Sequence, residues 1–200
     1  MMRNRLLLTV LLTITLHIPA QAQGYHLGLR LGYLNSELLS DDVGTPGLIN
    51  RQNFSIGLVH THKPYLGKWG FSVETAYQLK GPRVADEDIN YRMHYLSAPV
   101  MVDFYPTSKL RLSVGPELNY LLDGRNEINS DSSITLKNVI DSRLLVSGAA
   151  SVSYALDYYI DIGVRYSRDF TTLSDIDAIL NRRKTRHQTF QIFLYFKIAN

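Results

Sequence analysis

No cysteine occurs among the 200 residues, so neither a disulfide framework nor an acylated cysteine can brace or anchor this chain. Long apolar runs are missing too. Past the first two dozen residues nothing approaches the roughly 18 to 20 apolar residues that a membrane helix needs. Charge of one sign is also scarce: the formal net charge is +3, and setting aside Arg3 and Arg5 of the leader described below leaves +1. So small an excess excludes nucleic acid as the expected partner.

What is present begins with a leader. Arg3 and Arg5 precede an apolar run from Leu6 to Ile18, and Ala20-Gln21-Ala22 forms an A-x-A cleavage site, the pattern of a secretory signal peptide over residues 1–22. Residues 23–200 are then expected to form one domain.

That domain is written in alternation, in eight segments with an apolar and a polar face. In the first, Tyr25, Leu27, Leu29, Leu31 and Tyr33 oppose His26, Gly28, Arg30 and Gly32. The second sets Phe54, Ile56 and Leu58 against Ser55, Gly57 and Thr61; the third sets Trp69, Phe71, Val73, Tyr77 and Leu79 against Ser72, Glu74, Gln78 and Lys80. The fourth and fifth carry Leu96 to Phe104 and Leu110 to Tyr120 on their apolar faces, each broken by a proline, Pro99 and Pro116. Because proline cannot donate to a ladder, a bulge is expected at both. The sixth alternates Leu144, Val146, Val152 and Tyr154 with serines, the seventh runs from Tyr158 to Ser167, and the eighth from Thr189 to Ile198.

The connections alternate as well. Asn35 to Asn53, Gly81 to Met93, Asp123 to Asp141 and Thr171 to Thr185 are long, whereas Pro64 to Lys68, Pro106 to Lys109 and Asp157 are short. Outer-membrane barrels have long extracellular loops and short periplasmic turns in this order. Aromatic residues fall at both ends of the apolar face: Tyr25, Trp69, Phe104, Tyr158 and Phe196 at the turn end, and Tyr33, Phe54, Tyr77, Tyr120, Tyr166 and Phe190 at the loop end. Lipid-facing girdles have that placement. The expected fold is all-β: an eight-stranded antiparallel up-and-down transmembrane β-barrel of the cell outer membrane, its lumen filled by polar side chains. The contrary arrangement, a soluble lipocalin-like binder, would turn the apolar face inward and the charged face into water.

Three segments resemble the outer-membrane β-barrel family common in Bacteroidota, the PorT-like barrels. Glu74-Thr75-Ala76-Tyr77-Gln78-Leu79-Lys80-Gly81 resembles its E-x-x-Y-x-x-K-G strand end, Tyr95-Leu96-Ser97-Ala98-Pro99 its Y-L-x-x-P strand, and Gly115-Pro116-Glu117-Leu118-Asn119-Tyr120 its G-P-x-x-x-Y strand. Ala98 departs from the bulky residue that the family commonly has before that first proline. The resemblance extends over essentially all of residues 23–200 and implies a porin-like barrel, accessory in some relatives to type IX secretion and gliding.

Candidate chemistry is thin. On the polar face, Arg30, Glu74, Glu117 and Arg165 fall near mid-height, and Asp103, Arg111, Asp161 and Lys197 lie toward the turn end, two of each sign in both groups. Buried charges need partners, so a salt-bridge network is expected, with Glu74 and Glu117 meeting Arg30 and Arg165. His60 and His62 share a strand face without a third ligand in the pattern. His94 and His187 lie near the loop-end rim, on opposite faces by parity, and form no triad. Ser174 to Lys184 reads as a short loop helix with early acids and late bases, its cations complementing the helix's own dipole, with lipopolysaccharide phosphates as the alternative partner of its basic end. No catalytic, cofactor or metal residues are assigned. The expected function is a non-enzymatic anchor or interaction module, with an envelope-stabilising barrel and a barrel-embedded lipid hydrolase or acyltransferase as alternatives. The expected partners are outer-membrane lipid, lipopolysaccharide and other envelope or secretion proteins, around a monomer.

This topology is checked by cysteine labelling. A cysteine at Asp131, in a long connection, is expected to react with an impermeant maleimide on intact cells, and one at Thr107, in a short turn, only after permeabilisation. The reverse pattern would overturn it.

Overall fold

A computed structural model describes residues 25–40, 48–49, 51–63, 67–81, 83–84, 89–128, 132–135, 143–171 and 185–199. The signal segment and the loop helix expected at 174–184 lie outside the described residues. The described strands are β1 (Tyr25–Ser40), β2 (Leu48–Ile49), β3 (Arg51–His62), β4 (Trp69–Lys80), β5 (Arg83–Val84), β6 (Ile89–Phe104), β7 (Leu110–Ile128), β8 (Ser132–Thr135), β9 (Leu144–Ala155), β10 (Ile160–Asp169) and β11 (Thr185–Ala199).

Eight of these form the wall. Each of β1, β3, β4, β6, β7, β9, β10 and β11 pairs antiparallel with its neighbour in this series, and β11 returns to pair with β1. The barrel is therefore closed and up-and-down. Followed strand by strand, the pairing that leaves β1 at Tyr25 passes His62, Phe71, Val102, Val114, Ala150, Tyr166 and Phe190 and returns at Asn35, a stagger of ten residues. Such a stagger tilts the strands, and an eight-stranded barrel of this kind is just wide enough inside for side chains to fill it.

Alternation sets which side chains do so. Leu58, Val102, Val114, Val164 and Ile192 are each 40 % or more exposed on the outside, whereas Arg30, Glu74, Asp103, Glu117 and Arg165 are at most 3 % exposed within. A soluble barrel would have these faces exchanged, so the lipocalin-like arrangement is ruled out. The aromatic ends of the outer face agree with expectation: Trp69 stacks on Phe104 with ring centroids 4.7 Å apart, and Phe54 lies 6.0 Å from Tyr77.

Three expectations are corrected. Four strands run well past the outer aromatic belt, β7 continuing eight residues beyond Tyr120 to Ile128, where it pairs with β8. The long connections are thus partly strand. Alternation in sequence reports a contrast between lipid and lumen, whereas backbone pairing does not depend on that contrast and can run on beyond it. The turn before β10 is longer than expected, with Tyr158 in it; Leu156 and Asp157 donate their N–H groups to the Ile160 carbonyl.

The prolines also differ from expectation. Neither shifts the register: β7 pairs with β9 continuously through Pro116↔Gly148, and β4 keeps one register with β6 on either side of Pro99 while Glu74 and Thr75 are passed over. Each proline withholds one N–H without inserting a residue. Gly115 permits a close approach here, since a methyl on it would sit 2.0 Å from the Val100 carbonyl oxygen. The register shifts fall instead at Leu27/Gly28 and at His94/Tyr95.

Val164 faces outward between Ile192 and Val152. Val164→Arg is expected to destabilise the barrel by about 2 to 4 kcal/mol in lipid. Folding titrations in vesicles measure this, and the penalty should shrink as the bilayer is thinned.

Candidate functional site

The lumen is the most highly organised part of the molecule. Glu74 on β4 stands across the barrel from Arg165 on β10, four strands away in either direction, and its Oε2 accepts from Arg165 Nη2 at 2.8 Å. The same oxygen accepts from Arg30 Nη1, on β1 between them. Arg30 also lies 4.3 Å from the centroid of the Phe193 ring, whose face favours a cation. A single carboxylate therefore ties three strands together through the middle of the lumen.

Glu117 does not join this bridge. Its Oε1 lies 3.6 Å from Lys80 Nζ and accepts from Ser97 Oγ at 2.9 Å, so the expected meeting of Glu117 with the two arginines is corrected. Register explains the change: the stagger places Lys80, six residues along β4 from Glu74, beside the β7 carboxylate. Lys80 Nζ also lies 3.4 Å from Asn119 Oδ1; Asn119 donates to Ser147 at 2.9 Å, and Ser147 donates to Asp169. Toward the short-turn end, Asp161 lies 2.7 Å from Lys197 and 3.8 Å from Arg111, while Asp103 accepts from Ser72 at 3.1 Å. Lys80 and Asp169 were absent from the charge groups read in sequence. Counting them, five cations oppose five carboxylates in the described lumen, which balances the buried charge.

The three family-like segments converge here. Glu74 and Lys80 come from the first, Ser97 from the second, and Glu117 and Asn119 from the third; Lys80, Ser97, Glu117 and Asn119 form one connected cluster. Gly81, which follows Lys80, has a φ of 154°, a conformation that side chains disfavour. Their spacing was legible in sequence, and their contact was not.

Inward aromatics were underestimated. Phe193 and Tyr195 are buried in the lumen with Val59. Two glycines make room: a methyl on Gly163 would sit 2.5 Å from the Phe193 ring, and one on Gly28 2.3 Å from the Tyr195 ring. The bare positions at Gly28 and Gly32 also let β3 and β11 meet over β1, through Thr61 with Tyr195 at 3.5 Å and Gln191 with Ser55 at 2.6 Å.

Among the described residues the histidines do not gather into a site. His60 and His62 face outward at the short-turn end of β3, with His62 against the Phe71 ring at 5.2 Å. Among the described residues no group of three or more His, Cys, Asp or Glu could hold a metal ion. His94 faces outward in the loop-end belt, where its Nδ1 shares a hydrogen bond with the Tyr77 hydroxyl. Opposite it, the bulge at Leu122 turns Asp123 out of the lumen, where plain alternation from Tyr120 would have aimed it inward. The described contacts bring no serine or threonine hydroxyl to His94. The side chain of His187 lies outside the described residues.

At the short-turn mouth, Lys63 donates to the Ser108 carbonyl at 3.3 Å and lies 4.9 Å from the Tyr105 ring. Partial burial, then the neighbouring Lys197, lowers its pKa from the ordinary lysine value.

A closed eight-stranded barrel with a lipid-compatible exterior and a charged interior is the setting for the comparisons. A model of the outer membrane protein beta-barrel domain family matches residues 20–168. The chain belongs to that family. The match stops before β11, which the structure supplies as the closing strand. No curated protein matches the chain. Among solved structures, Neisserial surface protein A is similar with a TM-score of 0.56 at 13% identity, over 88% of this chain and 100% of that one. Ail, the attachment invasion locus protein of Yersinia pestis, is similar with a TM-score of 0.54 at 13% identity, over 88% and 100% of the two chains. At such identities the likeness shows the shared fold. With the family, it places this barrel in the outer membrane.

Glu74→Gln is expected to cost about 3 to 5 kcal/mol, because it leaves two buried guanidiniums without their carboxylate. Glu117→Gln, which leaves only Lys80, should cost less. Urea titrations of both variants refolded into vesicles measure the difference; equal and negligible effects would show a wet, screened lumen.

Proposed function

We propose that this protein is a non-enzymatic outer-membrane barrel that works as an anchor or interaction module, and that its kinship to PorT-like barrels of Bacteroidota extends to an accessory role in type IX secretion. The observation that carries this reading is the bridge from Arg165 through Glu74 to Arg30. A lumen crossed at mid-height by paired charges passes no solute, so function falls to the two ends and the outer belt. The family-like segments motivate the secretion role, and their residues Glu74, Lys80, Ser97, Glu117 and Asn119 build the interior. Outer-membrane lipid and lipopolysaccharide surround the belt, other envelope proteins meet the ends, and the barrel acts as a monomer. Tyr77, His94 and Asp123 make an interfacial contact for lipid headgroups, and among the described contacts no serine or threonine hydroxyl joins the histidine.

Planar-bilayer recording is expected to show no steady channels from the wild-type protein; stable conductance would overturn the plugged lumen. Deleting the gene from its host is expected to reduce export of type IX cargo while the envelope stays resistant to detergent. Normal export from a detergent-sensitive envelope would favour the envelope-stabilising alternative. Acyl release from lipopolysaccharide by the purified barrel would overturn the non-enzymatic reading.

A further inference from the structure

The barrel is filled unevenly along its length. Toward the loop end, Leu34, Met93, Tyr95, Leu121 and Leu145 point inward and are fully buried. At mid-height the Glu74 bridge closes the lumen. Toward the short-turn end a cavity of about 410 Å³ remains, a volume in the range of small-molecule sites. Anything entering it must come from the periplasmic side.

The lining is cationic. Lys63, Lys109, Arg111 and Lys197 face it, against Asp157 and Asp161. Asp161 is paired with Lys197 and Arg111, and Asp157 Oδ1 accepts the Tyr158 N–H at 2.6 Å, which leaves four cations facing two carboxylates. Among the described residues Lys63 meets the Ser108 carbonyl and the Tyr105 ring face, and no carboxylate forms an ion pair with Lys63 or Lys109. Tyr105, Tyr158 and Tyr195 supply wall surface that is apolar with a hydroxyl tip, and His26 adds a titratable ring. Low-dielectric walls strengthen the field of the surplus cations inside such a pocket. We infer that the periplasmic mouth is a binding cup for an anionic group, a carboxylate or a phosphate monoester, held by Lys63 and Lys109 at the rim above the Arg111–Asp161–Lys197 floor. This deepens the interaction-module function proposed above and rests on it for the role of the bound partner.

The experiment uses the barrel refolded in micelles and follows backbone amide shifts by NMR. The probes are acetyl-dialanine for a carboxylate, its C-terminal amide as a neutral control, and glycerol 2-phosphate for a phosphate. At least one anion is expected to saturate, with shifts gathered at Lys63, Ser108, Lys109 and Asp157, weakening as ionic strength rises, while the amide stays silent. The carboxylate alone would identify a peptide end or acidic side chain as the ligand chemistry; the phosphate alone would identify a phosphorylated one. The double variant Lys63→Gln, Lys109→Gln should lose about tenfold or more in affinity, as expected for lost charge-assisted bonds, with heat-modifiable gel migration unchanged. Lys63→Arg should retain binding, which separates charge from fold. Absence of saturation by either anion, equal binding of the amide, or undiminished binding by the folded double variant would overturn the cup. Because that failure would appear in purified protein, it would leave the in-cell tests of the anchor role standing.

Discussion

Closure is the constraint on which everything else depends. In hydrocarbon a peptide N–H or C=O has no water to turn to, so every backbone polar group of a spanning sheet must find its partner within the chain. The pairing of β1 with β11, from Leu27 with Ala199 to Ser40 with Thr185, removes the last two edges of the sheet. It joins the two ends of the described barrel, and it fixes the ten-residue stagger that tilts the strands.

From the narrow, tilted cylinder follows the character of its interior. Side chains from opposite walls come within hydrogen-bond reach, which is why Glu74 and Arg165 meet although four strands separate them. Polar atoms confined in so small a space must satisfy one another, and charge must balance nearly to zero. Bulk must balance too: Phe193 and Tyr195 fit because Gly163 and Gly28 oppose them. Outside, the same strands need only be apolar and interchangeable, with aromatic rings where hydrocarbon gives way to headgroups.

The two ends are unlike. The loop end is packed with buried apolar side chains and carries strands beyond the belt, whereas the turn end keeps an open, cationic cavity. If the barrel is the anchor proposed above, with its short turns in the periplasm, this asymmetry would give it a direction, with the cationic cavity facing the periplasm and the extended strands the exterior. An accessory to an envelope machine would use that polarity.

The sequence by itself determined the strands, their faces and their order around the wall, because alternation against lipid leaves a period of two that short-range composition records. Leu58, Val102 and Val164 could be assigned to the outside without coordinates, and Arg30, Glu74 and Glu117 to the inside. It could not say which buried charges would meet. Glu117 was expected beside an arginine and lies beside Lys80 with Ser97, because partners across a lumen depend on stagger, a property of the closed cylinder that no single strand encodes. Likewise Pro99 and Pro116 advertised bulges that the ladder did not need, while the bulge at Leu122 that turns Asp123 outward carries no proline or glycine at that residue to announce it. Only the tertiary structure decided these, since the wall is specified locally by contact with solvent and lipid, and the interior is specified by side chains distant in sequence competing for one enclosed space.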